Sequence, residues 1–301
     1  MGQTPLNVTV VGPGAIGGTV AAWLSQDPQL CLRVATRTPF ERLRIETPGG
    51  VIEAQPQQLT EPAQAAPADW VLIATKTYDA AATKSWLARL VNTRTRVAVL
   101  QNGVEHMARF ADALPAERIV PVVVDIPAER LAPGRVRQRG VGTMIVPAGP
   151  NGEAFTALFA HTPIVVSATA DFVTAAWMKL ALNCAGAVNA ITRKAAGIAA
   201  RDDVADVMRT LVRECIAVGR AEGALLDEGL EDRVIAHYRG GPADAVNSLH
   251  ADFVAGRPME LDARNGVIVR LGRRHGVATP ANAMIVTLLE SASAHEGSRS
   301  T

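Results

Sequence analysis

Apolar and polar positions follow an α/β pattern through the first half of the chain. Short apolar runs typical of buried strands begin with LNVTVVG at residue 6, and a helix is predicted over residues 16–25. Further strands are predicted at LRVATR, DWVLIATK and RVAVLQNG, with a helix through Trp86 before the last of them. Strands that alternate with helices form a parallel sheet with helices on both faces. The first half is therefore predicted to be a doubly wound α/β domain.

The pattern changes near residue 170. Before this point the β-like runs IVPVVVDI, GTMIVPAG and TPIVVSAT are expected to extend or edge the same sheet. After it the strand signal ends, and helical spacing dominates in runs such as VADVMRTLVRECIAVGRAEG and NAMIVTLLESA. We predict an α/β domain over residues 1–170 and an all-α domain over residues 171–301.

One helical run combines an apolar composition with two polar side chains. The run AAWMKLALNCAGAVNAIT over residues 175–192 is predicted to be one helix, apolar almost all the way round and therefore buried. It nevertheless carries Lys179 and Asn183 one turn apart on the same face. Burial of an ammonium and an amide costs free energy unless other groups pair with them. A bound ligand is the simplest such partner.

Composition narrows the functional classes. A chain of 301 residues that is 48% hydrophobic and 20% charged is typical of a two-domain globular protein. A formal net charge of +1 and 4% aromatic residues argue against nucleic acid as a partner. Lys179 interrupts the longest apolar stretch, and the N-terminus lacks the features of a signal peptide, so neither a membrane span nor secretion is predicted.

The cysteines point to the cytoplasm rather than to a metal site. Cys31, Cys184 and Cys215 lie in apolar strand or helix patterns and have no metal-ligand spacing. We expect buried, reduced thiols, as in cytoplasmic proteins. No metal is predicted, and nothing in the pattern supports a catalytic cysteine.

A glycine-rich turn follows the first predicted strand and opens the first helix. Its GxGxxG pattern consists of Gly12, Pro13, Gly14, Ala15, Ile16 and Gly17. Such glycines allow a tight turn and close approach of the backbone to a pyrophosphate, while the helix N-terminus supplies N–H donors. We predict a dinucleotide site here; the alternative is a glycine turn without a ligand.

Polar residues after later strands indicate which dinucleotide binds. NAD sites usually place a carboxylate at the end of the second strand, but this chain has Arg37 there. A guanidinium can bind a 2′-phosphate, so NADPH is predicted over NADH, the alternative being a solvated charge. Lys76 and Asn102 follow two further strands, at the sheet edge where open α/β sheets bind ligands. For each of them a capping or solvent-facing role is the alternative.

Taken together, these motifs resemble the ketopantoate reductases (2-dehydropantoate 2-reductases) over nearly the full length of the chain. The resemblance rests on GPGAIG, Lys76, the QNG at residues 101–103, WMKLALN at residues 177–183, NSLHADFVAGRPMELDARNG at residues 247–266 and HGVATP at residues 275–280. It implies a Rossmann-type N-terminal domain, an all-α C-terminal domain and an NADPH-dependent reduction of a 2-oxo acid in the cleft between them. For this family the product is pantoate, on the route to pantothenate and coenzyme A.

The resemblance also implies a role for each matching position. Lys179 resembles the proton donor to the ketone oxygen, and Asn183 a substrate contact on the same helix face. Ser248 resembles a ligand of the substrate carboxylate, and Glu260 an acidic contact to the substrate hydroxyl or the cofactor. Asn102 resembles a contact to cofactor and substrate, and Lys76 a cation on the cofactor side. Hydride addition leaves negative charge on the ketone oxygen, which suits a cation that can donate a proton.

Without the family signature, Ser248 and Glu260 have simpler interpretations. Ser248 is also typical of a helix cap, and Glu260 of an acid in the first turn of a helix. The family usually carries a second asparagine one turn beyond Asn183, where this chain has Gly186 or Ala187. Loss of that contact would enlarge the pocket or shift the choice of substrate.

Two other functions stay open at the level of sequence. One is a related 2-oxo-acid or opine-type dehydrogenase with a changed substrate, and the other is a non-catalytic NADP-binding sensor. Retention of Lys179, Asn183 and Glu260 together argues against a sensor, which needs no proton donor. The expected partner is a small-molecule 2-oxo-acid substrate. The apolar stripes of the later helices are compatible with a homodimer, and equally with the closed core of a monomer.

Overall fold

The computed structural model of the protein describes residues 5–297, and the chain divides into two compact units, Met1–Phe172 and Val173–Thr301. The first unit contains strands β1 (Leu6–Val11), β2 (Leu30–Ala35), β3 (Leu43–Thr47), β4 (Gly50–Ala54), β5 (Gln57–Leu59), β6 (Trp70–Ile73), β7 (Arg96–Val99), β8 (Ile119–Pro121), β9 (Val123–Asp125), β10 (Ala128–Ala132), β11 (Arg135–Gln138), β12 (Thr143–Pro147) and β13 (Val165–Thr169). Its helices are α1 (Ala15–Leu24), α2 (Ala80–Leu90) and α3 (Pro150–Leu158).

Helices make up the regular structure described in the second unit. They are α4 (Phe172–Ala185), α5 (Ala187–Thr192), α6 (Asp202–Ala221), α7 (Leu230–Gly240), α8 (Ser248–Val254), α9 (Val267–His275) and α10 (Pro280–Gly297), with a π-helical turn over Asp262–Gly266 before α9. The α/β fold with a helical second part is confirmed. Among residues 5–297, no helix combines the length and apolar character that crossing a bilayer requires.

The main sheet has the topology of a dinucleotide-binding domain. Its order is β5-β2-β1-β6-β7-β8, with every neighbouring pair parallel. Numbered by appearance within this sheet, the order is 3-2-1-4-5-6, which reverses direction beside the first strand. Ligands of such sheets bind outside the carboxyl ends of the strands at that reversal.

Side chains on both faces of the main sheet are buried, which explains its continuous apolar strands. In β6, Trp70 and Leu72 pack into the cluster that contains residues of α1, whereas Val71 and Ile73 pack into the cluster that contains Leu87 of α2. Successive strand residues point to opposite faces, so a strand covered on both sides, such as β6, can be apolar at every position.

The main sheet ends at β8, and two of the later β-like runs do not extend it as expected. Pro121 closes β8 and has no N–H with which to pair a further strand, a residue typical of sheet edges. GTMIVPAG and TPIVVSAT instead supply β12 and β13 of a separate sheet, ordered β13-β12-β9. The prediction of one extended sheet was wrong for these runs.

A third sheet, ordered β10-β11-β3-β4, had no counterpart in the sequence-based prediction. Its strands alternate apolar and charged residues, and cross-strand ion pairs join Arg44 to Glu53 at 3.0 Å and Arg137 to Glu46 at 2.9 Å. One face packs on α1, where a Cβ built on Gly18 would lie 3.0 Å from the Val136 side chain. The short alternating runs were the available signal for these strands.

The predicted helix over residues 175–192 is two helices in the structure. α4 ends at Ala185, and α5 begins after Gly186. Met178 is exposed, so the expectation that the run is buried almost all the way round was wrong at that position.

The cysteines only partly match the expectation of buried thiols. Cys184 and Cys215 are buried, but Cys31 is exposed near the start of β2, where the strand burial begins one residue later. All three thiols are free. Within the described part of the chain, no cluster of three His, Cys, Asp or Glu side chains has the arrangement of a metal site.

Candidate active site

The glycine turn after β1 has the geometry of a dinucleotide cradle. Gly12 has a φ of 88°, a Cβ on it would lie 2.9 Å from the Thr75 backbone, and its own N–H donates to the Ala35 carbonyl at 3.0 Å. A Cβ on Gly17 would lie 2.2 Å from the carbonyl oxygen of Gly12, so neither position accepts a side chain. Gly14, by contrast, faces open space, with no atom within 4 Å of its would-be Cβ. The residues therefore fit close approach of a pyrophosphate to the backbone.

The N-terminus of α1 is also suited to an anion. The helix begins at Ala15, one residue earlier than predicted, and no side chain among the described residues caps it. Its first turn carries no acidic residue. The N–H groups and the positive end of the helix dipole are therefore available to phosphates.

Four predicted cofactor-side features follow four neighbouring strands of the main sheet. Arg37 follows β2, the glycine turn follows β1, Lys76 follows β6 and Asn102 follows β7. Because these strands are parallel, their carboxyl ends meet at one edge of the sheet. The structure thus brings the four predicted features to the same edge.

Arg37 is highly exposed and pairs with Asp79. The Arg37 side chain is 83% exposed, and its two terminal nitrogens lie 3.4 and 3.3 Å from the two Asp79 carboxylate oxygens. An exposed pair of this kind contributes little to stability. The guanidinium therefore remains accessible to a stronger anion.

Gln101 joins the two loops that carry Lys76 and Asn102. The Gln101 amide is buried and donates to the carbonyl oxygens of Thr75 at 3.1 Å and Lys76 at 3.2 Å. The side-chain oxygen of Gln101 accepts a hydrogen bond from Arg109 Nη1 at 3.1 Å. Gln101 had no predicted role; the available signal was a polar side chain that directly follows an apolar strand and precedes the predicted contact Asn102.

A buried histidine supports the same loop. The His106 ring lies 3.0 Å from the Gln101 backbone carbonyl and makes an edge-on contact with Phe172. Burial, together with the positive charge of Arg109, lowers the pKa of His106 to about 4. The ring is therefore neutral at physiological pH and acts as a structural hydrogen-bonding group.

Lys179 and Asn183 lie in α4 of the second unit, one turn apart and both half-buried. The opposite face of α4 is buried through Trp177, Leu180 and Cys184. This packing fixes the rotation of the helix, so the two polar side chains share one partly accessible stripe.

Side chains from three other segments hold the carboxyl end of α4. The carbonyl oxygens of the last turn accept hydrogen bonds from Tyr238 (to Leu182, 3.1 Å), Arg264 (to Asn183), Asn265 (to Cys184, 3.1 Å) and Asn247 (to Gly186, 3.0 Å). Helix ends normally leave these carbonyls without a partner in the helix. Their capture by side chains positions the Asn183 end of the stripe.

Ser248 is the first residue of α8 but not its cap. The cap is Asn247, whose side-chain oxygen accepts from the His250 N–H at 3.0 Å. Ser248 is exposed, and its hydroxyl oxygen lies 3.5 Å from Arg264 Nη1. The interpretation of Ser248 as a helix cap was therefore wrong, and its hydroxyl remains a candidate for ligand binding.

Glu260 is buried, with 6% exposure, and precedes the π-helical turn by two residues. It therefore does not lie in the first turn of a helix, the simpler interpretation offered by the sequence.

Asn189 is a structural residue, as its amide donates to the carbonyls of Lys194 and Ala195 at 3.0 Å.

The absence of a second asparagine beyond Asn183 does not leave a void at Gly186. A Cβ there would lie 2.6 Å from the Tyr238 hydroxyl, 2.8 Å from Asn247 Nδ2 and 3.2 Å from Arg264 Nη2. Ala187 is fully buried. The expectation of an enlarged pocket was wrong at Gly186, because three polar side chains fill the space.

Comparison with known proteins covers nearly the whole chain. Residues 8–151 match the family model described as ketopantoate reductase PanE/ApbA, and residues 171–293 match its C-terminal counterpart. A 2-dehydropantoate 2-reductase from Caulobacter vibrioides is 63% identical over 286 residues, covering 95% of this chain and 99% of the relative.

Solved structures agree with this match. A 2-dehydropantoate 2-reductase from Geobacter metallireducens superposes with a TM-score of 0.90 at 27% identity, covering 95% of this chain and all of the other. A dimeric ketopantoate reductase from Staphylococcus aureus gives a TM-score of 0.84 at 25% identity, covering 97% of this chain and all of the other.

Proposed function

Because this chain belongs to the ketopantoate reductase family, we propose that it reduces 2-dehydropantoate to pantoate with NADPH. The observation that carries the proposal is the polar stripe of α4, where a half-buried lysine and asparagine lie one turn apart on a helix whose end is fixed by side chains. Residues 1–170 serve as the cofactor domain and residues 171–301 as the substrate and catalytic domain.

Enzymes of this family use a nicotinamide cofactor, and the glycine turn suits its pyrophosphate. The choice of NADPH rests on Arg37, which offers a guanidinium to the 2′-phosphate at the end of β2. Lys76 supplies a second cation on the cofactor side, and Asn102 hydrogen-bonds the cofactor and the substrate.

The reduced nicotinamide supplies a hydride to the ketone carbon. Lys179 stabilises the negative charge that develops on the ketone oxygen and then donates a proton to it, forming the hydroxyl. Asn183 orients the substrate one turn further along α4, and Ser248 binds its carboxylate. Glu260 contacts the substrate hydroxyl or the cofactor.

The decisive experiment follows NADPH oxidation against a panel of 2-oxo acids. We expect turnover with 2-dehydropantoate far above that with pyruvate or oxaloacetate. Turnover only with another acid, or only with an acid plus an amine, contradicts the proposed substrate. Tight NADPH binding without any turnover contradicts the proposed reaction.

The role of Lys179 has its own test. Lys179→Ala should lower kcat by about 10²- to 10⁴-fold and leave the Kd for NADPH unchanged, because general acid catalysis typically contributes that factor. Lys194→Ala, at an exposed lysine of the same unit, serves as the matched control and should keep full activity. Near-normal kcat in Lys179→Ala would remove Lys179 from the mechanism.

We further propose a cytoplasmic location and a homodimer. The free thiols at all three cysteines are consistent with a reducing compartment. The Staphylococcus aureus relative is described as dimeric, and light scattering of the purified protein measures whether this chain assembles in the same way.

A further inference from the structure

Arg264 is a buried guanidinium in the middle of the site residues of the second unit. It is 2% exposed and lies in the π-helical turn Asp262–Gly266. Its Nη2 donates to the Asn183 carbonyl, its Nη1 lies 3.5 Å from the Ser248 hydroxyl oxygen, and its Nε has no hydrogen-bond partner among the described residues. Single π-helical turns are enriched at functional sites.

Burial affects the Arg264 guanidinium more strongly than the attractive groups around it do. Burial lowers the pKa of Arg264, and the attractions of Tyr238, Glu260 and Asp252 act in the opposite direction without cancelling it. Asp252 already binds Arg257 at 2.9 Å. The hydrogen-bonding partners described above are a carbonyl and a hydroxyl, both neutral.

Capping of α4 does not by itself account for a full positive charge. The carboxyl end of a helix offers roughly half an elementary negative charge, and a neutral donor would satisfy the Asn183 carbonyl equally well. Tyr238, Asn247 and Asn265 cap the neighbouring carbonyls as neutral groups. A guanidinium at the fourth position suits an additional, anionic partner.

We propose that Arg264, together with Ser248, binds the carboxylate of the 2-oxo-acid substrate, an inference that rests on the proposed function. The 3.5 Å between Arg264 Nη1 and the Ser248 oxygen is at the limit of hydrogen bonding, so both groups can donate to an incoming carboxylate instead. The planar fork of arginine matches the two oxygens of a carboxylate.

The position of Arg264 also suits the geometry of a 2-oxo acid. Its contact to the Asn183 backbone carbonyl places it towards the carboxyl end of α4, four residues or about 6 Å along the axis from the level of Lys179. In a 2-oxo acid the ketone is bonded directly to the carboxyl carbon. A carboxylate held at the Asn183 level therefore directs the ketone towards Lys179.

Gly186 makes room for this arrangement. Since a Cβ at residue 186 would lie 3.2 Å from Arg264 Nη2, a larger side chain there would displace the guanidinium. The glycine at residue 186 therefore leaves the space in which the Arg264 guanidinium lies.

The experiment compares an acid with its uncharged ester. Arg264→Gln keeps an amide donor for the Asn183 carbonyl but removes the positive charge. Arg264→Lys keeps the positive charge but removes the paired N–H donors of the guanidinium. The kcat/KM for 2-dehydropantoate, divided by that for its methyl ester, should fall about 10- to 100-fold in Arg264→Gln, as expected for loss of a charged hydrogen bond. We expect the loss mainly in KM for the acid, with Arg264→Lys intermediate.

Tyr238→Phe is the matched control for capping. It removes the donor to the Leu182 carbonyl without a change of charge, and should leave the acid-to-ester ratio at the wild-type value. If Arg264→Gln and Tyr238→Phe lower both activities equally and leave the ratio unchanged, Arg264 is only a cap and the proposal is wrong.

Ligand protection separates this inference from the proposed function and needs no turnover. Pantoate and 2-oxoisovalerate, with saturating NADP⁺, should raise the Tm of the wild-type protein but not that of Arg264→Gln. If the wild type oxidises no NADPH with any acid yet shows this difference, the reaction is wrong and the anion site stands. If the wild type reduces 2-dehydropantoate and the variant is protected equally, the function stands and the anion site is wrong.

Discussion

In the ion pair between Arg37 and Asp79, the Asp79 carboxylate occupies the guanidinium that we propose as the ligand of the 2′-phosphate. A 2′-phosphate that binds Arg37 must displace the Asp79 carboxylate, whose oxygens lie 3.3 and 3.4 Å away. Because the pair is exposed and weak, the more highly charged phosphate should win. We therefore expect Asp79 to lower the affinity for NADPH without preventing its binding.

Cofactor affinities of Arg37 variants test this arrangement. Arg37→Gln should raise the Kd for NADPH about tenfold, the lower range for a charged hydrogen bond because the site is exposed, and leave the Kd for NADH nearly unchanged. Asp79→Asn should bind NADPH at least as tightly as the wild type. Fluorescence titration measures both constants, and equal losses for the two cofactors in Arg37→Gln would remove Arg37 from the phosphate site.

The sequence predicts candidate site residues where a polar side chain interrupts an apolar pattern. It does not predict residues whose role depends on hydrogen-bond partners distant in the chain. Lys179 and Asn183 stood out because they interrupt an apolar helix. Arg264 lies in the DARNG segment at residues 262–266, and an arginine in such a mixed sequence gives no sign that the fold will bury it. Asn247 as the cap in place of Ser248 likewise depends on where α8 begins.

At the level of elements, the end of α4 is stabilised by contacts distant in sequence. Four side chains from residues 238–265 hold its last carbonyls, so the position of the polar stripe of α4 depends on α7, the start of α8 and the π-helical turn. Such dependence could not be predicted from periodicity, which reports only which face of a helix is apolar. It also explains why a single predicted helix is interrupted at Gly186.

Gly186→Ala tests the packing at this helix end. The added methyl would overlap the Tyr238 hydroxyl and Asn247 Nδ2, and overpacking of this kind typically costs about 1–3 kcal/mol. Gly240→Ala, at a helical glycine with nothing within 4 Å of its would-be Cβ, is the control and should be neutral or slightly stabilising. Urea denaturation measures both, and equal stabilities would show that the last turn of α4 yields without cost.

The predictability of strands depended on whether both faces are buried. The main-sheet strands are covered on both sides and read as continuous apolar runs. The sheet of β3, β4, β10 and β11 has charged residues at alternate positions, and its central pair joins residues 44–46 to 135–137. No local pattern specifies a pairing across that separation.

At the level of the whole molecule, the buried ring of His106 should contribute to the pH dependence of stability. The pKa of His106 is about 4 in the folded protein and near 6.5 in an unfolded chain, so the unfolded state binds more protons between these values. His106 therefore contributes full stability above pH 6.5 and loses it as pH falls towards 4. The total effect is on the order of 3 kcal/mol.

Urea midpoints of wild type and His106→Gln between pH 8 and pH 4 test this contribution. The wild-type midpoint should fall more steeply below pH 6.5 than that of the variant, which has no ring to protonate. His161→Gln, at an exposed histidine of the same unit, should keep the wild-type slope. Parallel curves for wild type and His106→Gln would mean that the pKa of His106 is the same in the folded and unfolded states, which contradicts the prediction.

The proline that ends β8 has a consequence for the behaviour of the protein in concentrated solution. An edge strand with a full row of free donors and acceptors is a template on which another chain can add a strand. Pro121 removes a donor from this edge, and the opposite edge, β5, is only three residues long. The six-stranded sheet therefore offers little backbone for intermolecular strand addition, which protects the protein from β-type aggregation at high concentration.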